Sequence, residues 1–209
     1  MKKSKKLIFF GNERLATATP TTALTLQALI SAGYDIEAVI TGHSDIVSRQ
    51  KRDLEIGPIA HIHQIPVILL GKDIDLSAKL KNHLTEAAVL VAFGRIIPQP
   101  IIDLFPKGII NIHPSLLPKL RGPTPIETAI LDGLTETGVS LMRLEAKMDA
   151  GPLYSQQKIS LNGDETKLEL ATKLNKVGAE LLINSLPAIL DGSLIPKPQN
   201  NSKATYTKL

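Results

Sequence analysis

The sequence contains no cysteine and no tryptophan, and its aromatic content is only 3%. Without cysteine there are no disulfides and no thiolate zinc sites, so a cytoplasmic location is expected. So few aromatic rings argue against a stacking platform for single-stranded nucleic acid. Long apolar runs are also missing: none approaches the roughly 20 residues that span a bilayer, so a soluble chain with no membrane partner is expected. The start, MKKSKKLIFFG, has the charge of a leader, but its apolar run is short and no small-residue cleavage site comes after it, so it reads as a first strand with a basic lead-in. The first strand runs into GNERLATATP, which lacks G-x-G-x-x-G, and no G-x-x-x-x-G-K-[ST] occurs, so neither a dinucleotide fingerprint nor a P-loop is present. His61 and His63 form an H-x-H pair without a third ligand, and no metal site is expected.

What is present fits one globular domain. The 209 residues are 43% hydrophobic and 21% charged. Net charge is +4 and the pI about 9.2, which suits an anionic partner but not a dedicated nucleic-acid coat. One domain is expected over 1–190, with 191–209 a polar tail or the start of a linker to a further domain, its ATY able to add one edge strand.

Short apolar runs recur with helical segments between them: KLIFFG at 6–11, IEAVIT at 36–41, PVILLG at 66–71, AAVLVAFG at 87–94 and GIINIH at 108–113. They read as strands buried on both faces. Helices are expected at 21–32, with Ala23, Leu26, Leu29 and Ile30 on one face and Gly33 as the stop, and around Leu76, Leu80 and Leu84. This alternation predicts an α/β fold, a doubly wound, mostly parallel sheet with helices on both faces. GVSLMRLE (138–145) and LYSQQKIS (153–160) read as two further antiparallel strands. A long helix from about 165 to 190 comes next, with Leu168, Ala171, Leu174, Val177, Leu181 and Leu182 as its apolar stripe and Pro187 kinking it or ending it early.

One segment departs from this pattern. In IINIHPSLLPKLRG (109–122) the strand gives up its apolar character at Asn111 and His113, which share a face because alternate residues of a strand do. Ligands of such sheets gather at the strands' carboxyl ends. Pro114 and Pro118 stiffen the loop after the histidine. Asn-x-His also suits a histidine satisfied by the backbone and a turn-capping asparagine. A third polar group is Asp149 in AKMDAGP (146–152), where a carboxylate could orient the His113 ring or simply make a turn. Arg121 and Gly122 are expected to finish a turn into a helix with Thr124 as N-cap and Pro125 in its first turn.

FGRIIP (93–98), INIHPSLLPKLRGPTPIETAIL (110–131) and ETGVSLMRLEAKMDAGPLY (136–154), in this order, resemble the catalytic domain of the 10-formyltetrahydrofolate-dependent formyltransferases. The resemblance covers nearly the whole chain, and within the family RGPTPI is most similar to the methionyl-tRNA formyltransferases. It implies a Rossmann-like formyltransferase fold and a catalytic trio of Asn111, His113 and Asp149. It also implies 10-formyltetrahydrofolate as co-substrate, bound beside Phe93, Gly94, Ile96, Ile97 and Pro98 and along Ser115, Leu116, Leu117 and Pro118. Formyl transfer to an amine passes through a tetrahedral intermediate, which needs preorganised donors more than a protein nucleophile.

The acceptor implied is initiator methionyl-tRNA, with Arg49, Lys51 and Arg52 as tRNA contacts in a loop that otherwise reads as solvated and charge-balanced. An amino sugar nucleotide or another small amine is the alternative acceptor, and a catalytically idle folate-binding module the alternative outside enzymes. A monomer is expected.

Overall fold

The computed structural model of the protein describes residues 5–11, 22–42, 56–70, 75–81, 83 and 85–208, and the chain divides into two units, Met1–Gly108 and Ile109–Leu209. The first unit holds β1 (Lys6–Gly11), β2 (Asp35–Gly42), β3 (Val67–Leu70) and β4 (Ala87–Val91), all parallel, in the order β3-β2-β1-β4. Between them run α1 (Thr22–Ser31), α2 (Ile56–Ile62) and α3 (Leu76–Leu80), and α4 (Gln99–Ile102) comes after β4. Leu7 to Phe10 and Ala87 to Val91 are buried at every position, as strands covered on both faces must be. Right-handed crossovers from β1 to β2 to β3 put α1 and α2 on one face. The chain then reverses to lay β4 on the other side of β1, which sends α3 and α4 to the opposite face. In agreement, α1 touches α2 and α3 touches α4. The reversal makes the carboxyl ends of β1 and β4 a topological switch point.

Two expectations are corrected here. β3 is not buried on both faces: Val67 and Leu69 are exposed, because β3 ends the strand order of this unit. β4 stops at Val91 rather than 94, because Ala92 and Gly94 take positive φ (47° and 69°) and turn the chain out of the sheet direction. His61 lies in α2, and both it and His63 are exposed. Of the residues expected on the apolar face of α1, Leu26 and Leu29 are buried, whereas the side chain of Ala23 lies outside the described residues, as does Leu84.

The second unit holds β5 (Ile109–His113), β6 (Glu136–Arg143) and β7 (Leu153–Ser160), paired antiparallel in that order, with α5 (Pro125–Leu131) and α6 (Lys167–Asp191). α6 opens with a capping box between Thr166 and Glu169 and packs on one face of the three strands. A Cβ on Gly178 would lie 2.9 Å from Ile112 Cγ2, so helix and sheet meet there at a distance only glycine allows. Pro187 does not end α6: it sits on the exposed side, and buried Ser185, Leu186 and Ile189 hold the final turn down. The buried stripe runs Leu170, Leu174, Gly178, Leu182, Leu186. Leu168, expected within it, is 60% exposed, because two residues along a helix is a rotation of about 200°.

No helix among the described residues is long and apolar enough to cross a membrane.

Candidate active site

β5 carries the first two polar groups. Because α6 covers the face of Ile112, the alternate residues Asn111 and His113 point to the other face, where the loop after the strand folds over them. Both are buried, with relative exposures of 7% and 5%. The Asn111 side chain makes no hydrogen bond to another described residue, so its amide hydrogens remain available to a ligand. The His113 ring is anchored by the chain itself: Nε2 donates to the carbonyl oxygen of Leu120 at 3.0 Å. A carbonyl oxygen only accepts, so Nε2 carries a hydrogen, and Nδ1 is the nitrogen left for chemistry. Leu120 holds that carbonyl in place from a left-handed conformation (φ 57°).

Asp149 reaches the same place from another part of the chain. It sits in the turn after β6 with φ 47°, a conformation uncommon outside glycine. Its Oδ1 is 3.7 Å from His113 Nδ1, within ion-pair range and beyond a direct hydrogen bond. Its Oδ2 accepts the backbone N–H of Gly122 at 2.8 Å. Gly151, two residues on, brings the turn so close to β6 that a Cβ there would lie 1.9 Å from the Arg143 carbonyl oxygen. Next to this turn, burial pushes the Tyr154 phenol above its ordinary range, and the nearby Arg143 charge opposes the shift only in part.

The loop from Pro114 to Gly122 is fastened underneath by β6 and β7. Ser140, opposite His113 in the sheet, donates to the Ser115 carbonyl at 2.6 Å and accepts the Leu117 N–H at 3.0 Å. Gln156 donates to both Ser140 Oγ and the Leu117 carbonyl. Ser115 is fully buried and its hydroxyl is donated to Lys119 O, whereas Leu116 and Pro118 are half-buried. Leu117 is buried, and its peptide bond to Pro118 is cis.

Thr205 and Thr207 pair with the end of this loop. Leu120 N–H donates to Thr205 Oγ1, Arg121 N–H to Thr205 O and Thr207 N–H to Arg121 O. Thr124 stands at the N-cap of α5, but its hydroxyl donates to Lys208 O and does not cap the helix, which corrects its expected role. Arg121, expected as a turn residue, is fully buried. Its guanidinium is met by Gln199 Oε1, Asn201 Oδ1 and the Tyr206 hydroxyl, with the Tyr206 ring 5.9 Å away.

Leu120, Arg121, Ser140, Gln156 and Gln199 were not legible as site residues. Leu120 acts through its backbone, and nothing in composition marks an arginine as buried or a glutamine as bonded to a distant turn.

In the first unit, Phe93 is a core residue, its ring edge-on to Phe10 at 5.4 Å. Ile97 is buried too, while Gly94 and Pro98 are exposed and Ile96 is 88% exposed. This segment leaves β4 at the switch point. Arg49, Lys51 and Arg52 lie outside the described residues. No group of His, Asp and Glu that could hold a metal ion occurs among the described residues.

A profile described as "Formyl transferase" matches residues 5–186. The chain is 35% identical over 98% of its length to methionyl-tRNA formyltransferase of Chloroflexus aurantiacus and covers 65% of that protein. It therefore spans less than two thirds of this curated relative. Among solved structures it resembles phosphoribosylglycinamide formyltransferase from Bacillus halodurans, with TM-score 0.73 and 24% identity, covering 90% of this chain and 96% of that one. It likewise resembles the N-formyltransferase from Helicobacter canadensis in complex with folinic acid and dTDP-3-aminofucose, with TM-score 0.73, 21% identity, 97% of this chain and 70% of that one. At these identities the structural likeness concerns the fold.

Proposed function

Since the chain belongs to the formyl transferase family, we propose that it moves a formyl group from 10-formyltetrahydrofolate to the amino group of methionyl-tRNA. The observation that carries the chemistry is the approach of Asp149 Oδ1 to His113 Nδ1 at 3.7 Å, beside an Asn111 amide with no described partner.

In this reading the amine nitrogen attacks the formyl carbon and a tetrahedral intermediate forms. The Asn111 amide donates to its developing oxyanion, and because that donor is already in place, little reorganisation is needed as charge appears. With Nε2 committed to Leu120, the proton from the attacking amine travels by His113 Nδ1 and Asp149 to N10 of the folate. The C–N10 bond breaks, and formylated amine and tetrahydrofolate leave. The 3.7 Å gap is of the kind that tightens, or is bridged by water, once substrate is bound. Folate recognition is assigned to Phe93, Gly94, Ile96, Ile97 and Pro98 and, separately, to the Ser115–Pro118 stretch, where half-buried Leu116 and Pro118 offer apolar contact.

The acceptor is assigned from the Chloroflexus aurantiacus relative's name, with Arg49, Lys51 and Arg52 proposed as tRNA contacts. The test is release of tetrahydrofolate when protein and 10-formyltetrahydrofolate meet charged initiator methionyl-tRNA, amino sugar nucleotides or glycinamide ribonucleotide. Release with methionyl-tRNA is expected. Release with a sugar nucleotide and none with tRNA would reassign the acceptor, and silence with every amine would leave a folate-binding module.

A further inference from the structure

We propose that Gln199 is a positioning residue that sets the distance between His113 and Asp149; the proposal rests on the formyl-transfer reading and deepens it. One amide holds both halves of the site. Its Nε2 donates to two carbonyl oxygens of the Asp149 turn, those of Asp149 at 2.9 Å and Gly151 at 2.7 Å. Its Oε1 accepts from Arg121 Nη2 at 2.7 Å and Nε at 3.2 Å.

The neighbours on each side give this bridge its meaning. Arg121 is flanked by the two residues that orient the acid and the imidazole: Leu120, whose carbonyl receives His113 Nε2, and Gly122, whose N–H is donated to Asp149 Oδ2. Asp149 itself stands at φ 47°, and a side-chain-bearing residue stays in that region only when its surroundings hold it there. The Gly122 bond holds the carboxylate and Gln199 holds the backbone behind it. Arg121 is fully buried and its described partners are all neutral oxygens and a ring, so an amide that both accepts from a guanidinium and donates to carbonyls suits this place. A carboxylate could do only the first.

Gln199→Glu uses that difference. It keeps an acceptor for Arg121 but turns an oxygen toward the two turn carbonyls, so the Asp149 turn moves while the Arg121 side stays. Misplacement of a catalytic group by about 1 Å costs about 10²-fold, and a loss of kcat of about 10- to 10²-fold is expected with KM for the folate nearly unchanged. Because the effect passes through the Asp149 carboxylate, the same change in an Asp149→Asn background should cost less than about 2-fold more. Equal losses in both backgrounds, or a lower Tm with kcat intact, would overturn the proposal. The imidazole resonances of His113 give a reading without substrate: they should shift in Gln199→Glu, and unchanged resonances would also overturn it. If they shift while the wild type transfers formyl to no acceptor, the positioning role stands and the formyl-transfer reading falls. Should Gln199→Glu not fold, Gln199→Met, which keeps the length and removes both sets of bonds, is read in the same way.

Discussion

His113 and Leu120 are joined through Nε2 and a backbone carbonyl oxygen at 3.0 Å, which leaves the other ring nitrogen for the proposed proton transfer. His113→Gln places an amide donor near the Nε2 position and can keep the loop anchored, but it has nothing at Nδ1. Turnover should fall about 10²- to 10⁴-fold, as loss of a general acid–base group does, with the thermal midpoint close to wild type. Near-normal single-turnover rates for this variant would remove the imidazole from proton transfer.

Asn111→Ala removes the proposed oxyanion donor. Its kcat should drop about 10²- to 10³-fold, the usual effect of losing one such donor. Folate affinity should change far less, and steady-state kinetics beside equilibrium binding of the folate separates the two.

Ser140 serves three partners from a fully buried position: the Ser115 carbonyl, the Leu117 N–H and the Gln156 amide. Ser140→Ala strands the buried Ser115 carbonyl and Leu117 N–H, and leaving such a group unsatisfied costs about 1–3 kcal/mol. A drop of that size in unfolding free energy is expected, read as a lower urea midpoint at unchanged slope. Stability within about 0.5 kcal/mol of wild type would show that the loop finds other partners.

Gly151→Ala would place a methyl 1.9 Å from the Arg143 carbonyl oxygen, so the backbone of the turn must move. Overpacking of this kind costs about 1–3 kcal/mol, and here the displacement falls on Asp149. Activity should therefore fall more steeply than stability does. Equal activity per folded molecule would detach Asp149 from catalysis.

In the first unit, Glu37 bonds Lys6 and accepts from His83 Nδ1 at 3.2 Å. Burial alone would raise its carboxyl, but the bonds and charges of Lys6 and His83 outweigh it and hold the group below the ordinary carboxylate value of 4.5. A depressed folded value means the stabilisation is complete above 4.5 and fades as pH falls through the lower folded value. Glu37→Gln should flatten the acid limb of a stability–pH profile and leave the neutral plateau sloping as before. An unchanged acid limb would count against this role.

The parallel strands, and the pair Asn111 and His113, were legible because strand periodicity and apolar runs are local. The convergence of Asp149 was not local: spacing alone allowed a turn residue, and only the family resemblance placed it beside the imidazole. The stripe of α6 was read one side off at Leu168, because two neighbouring leucines fit a helical period and packing against Ile112 and Val139 chose the other line. Gln199 and Arg121 stayed hidden for an opposite reason. Polar composition marks solvated chain unless a buried partner takes each donor, and that partner lies 78 residues away.

The bonds from Thr205 and Thr207 to Leu120 and Arg121 also order events in time. Leu120 precedes Thr205 by 85 residues, so on a ribosome this end of the histidine's loop lacks its Thr205 and Thr207 partners until that stretch emerges. Closing so distant a contact is slow relative to local folding, so these bonds are expected to form after the strands beneath them pair. A nascent chain halted before Thr205 therefore carries every proposed reactive side chain and lacks the clasp that arranges them.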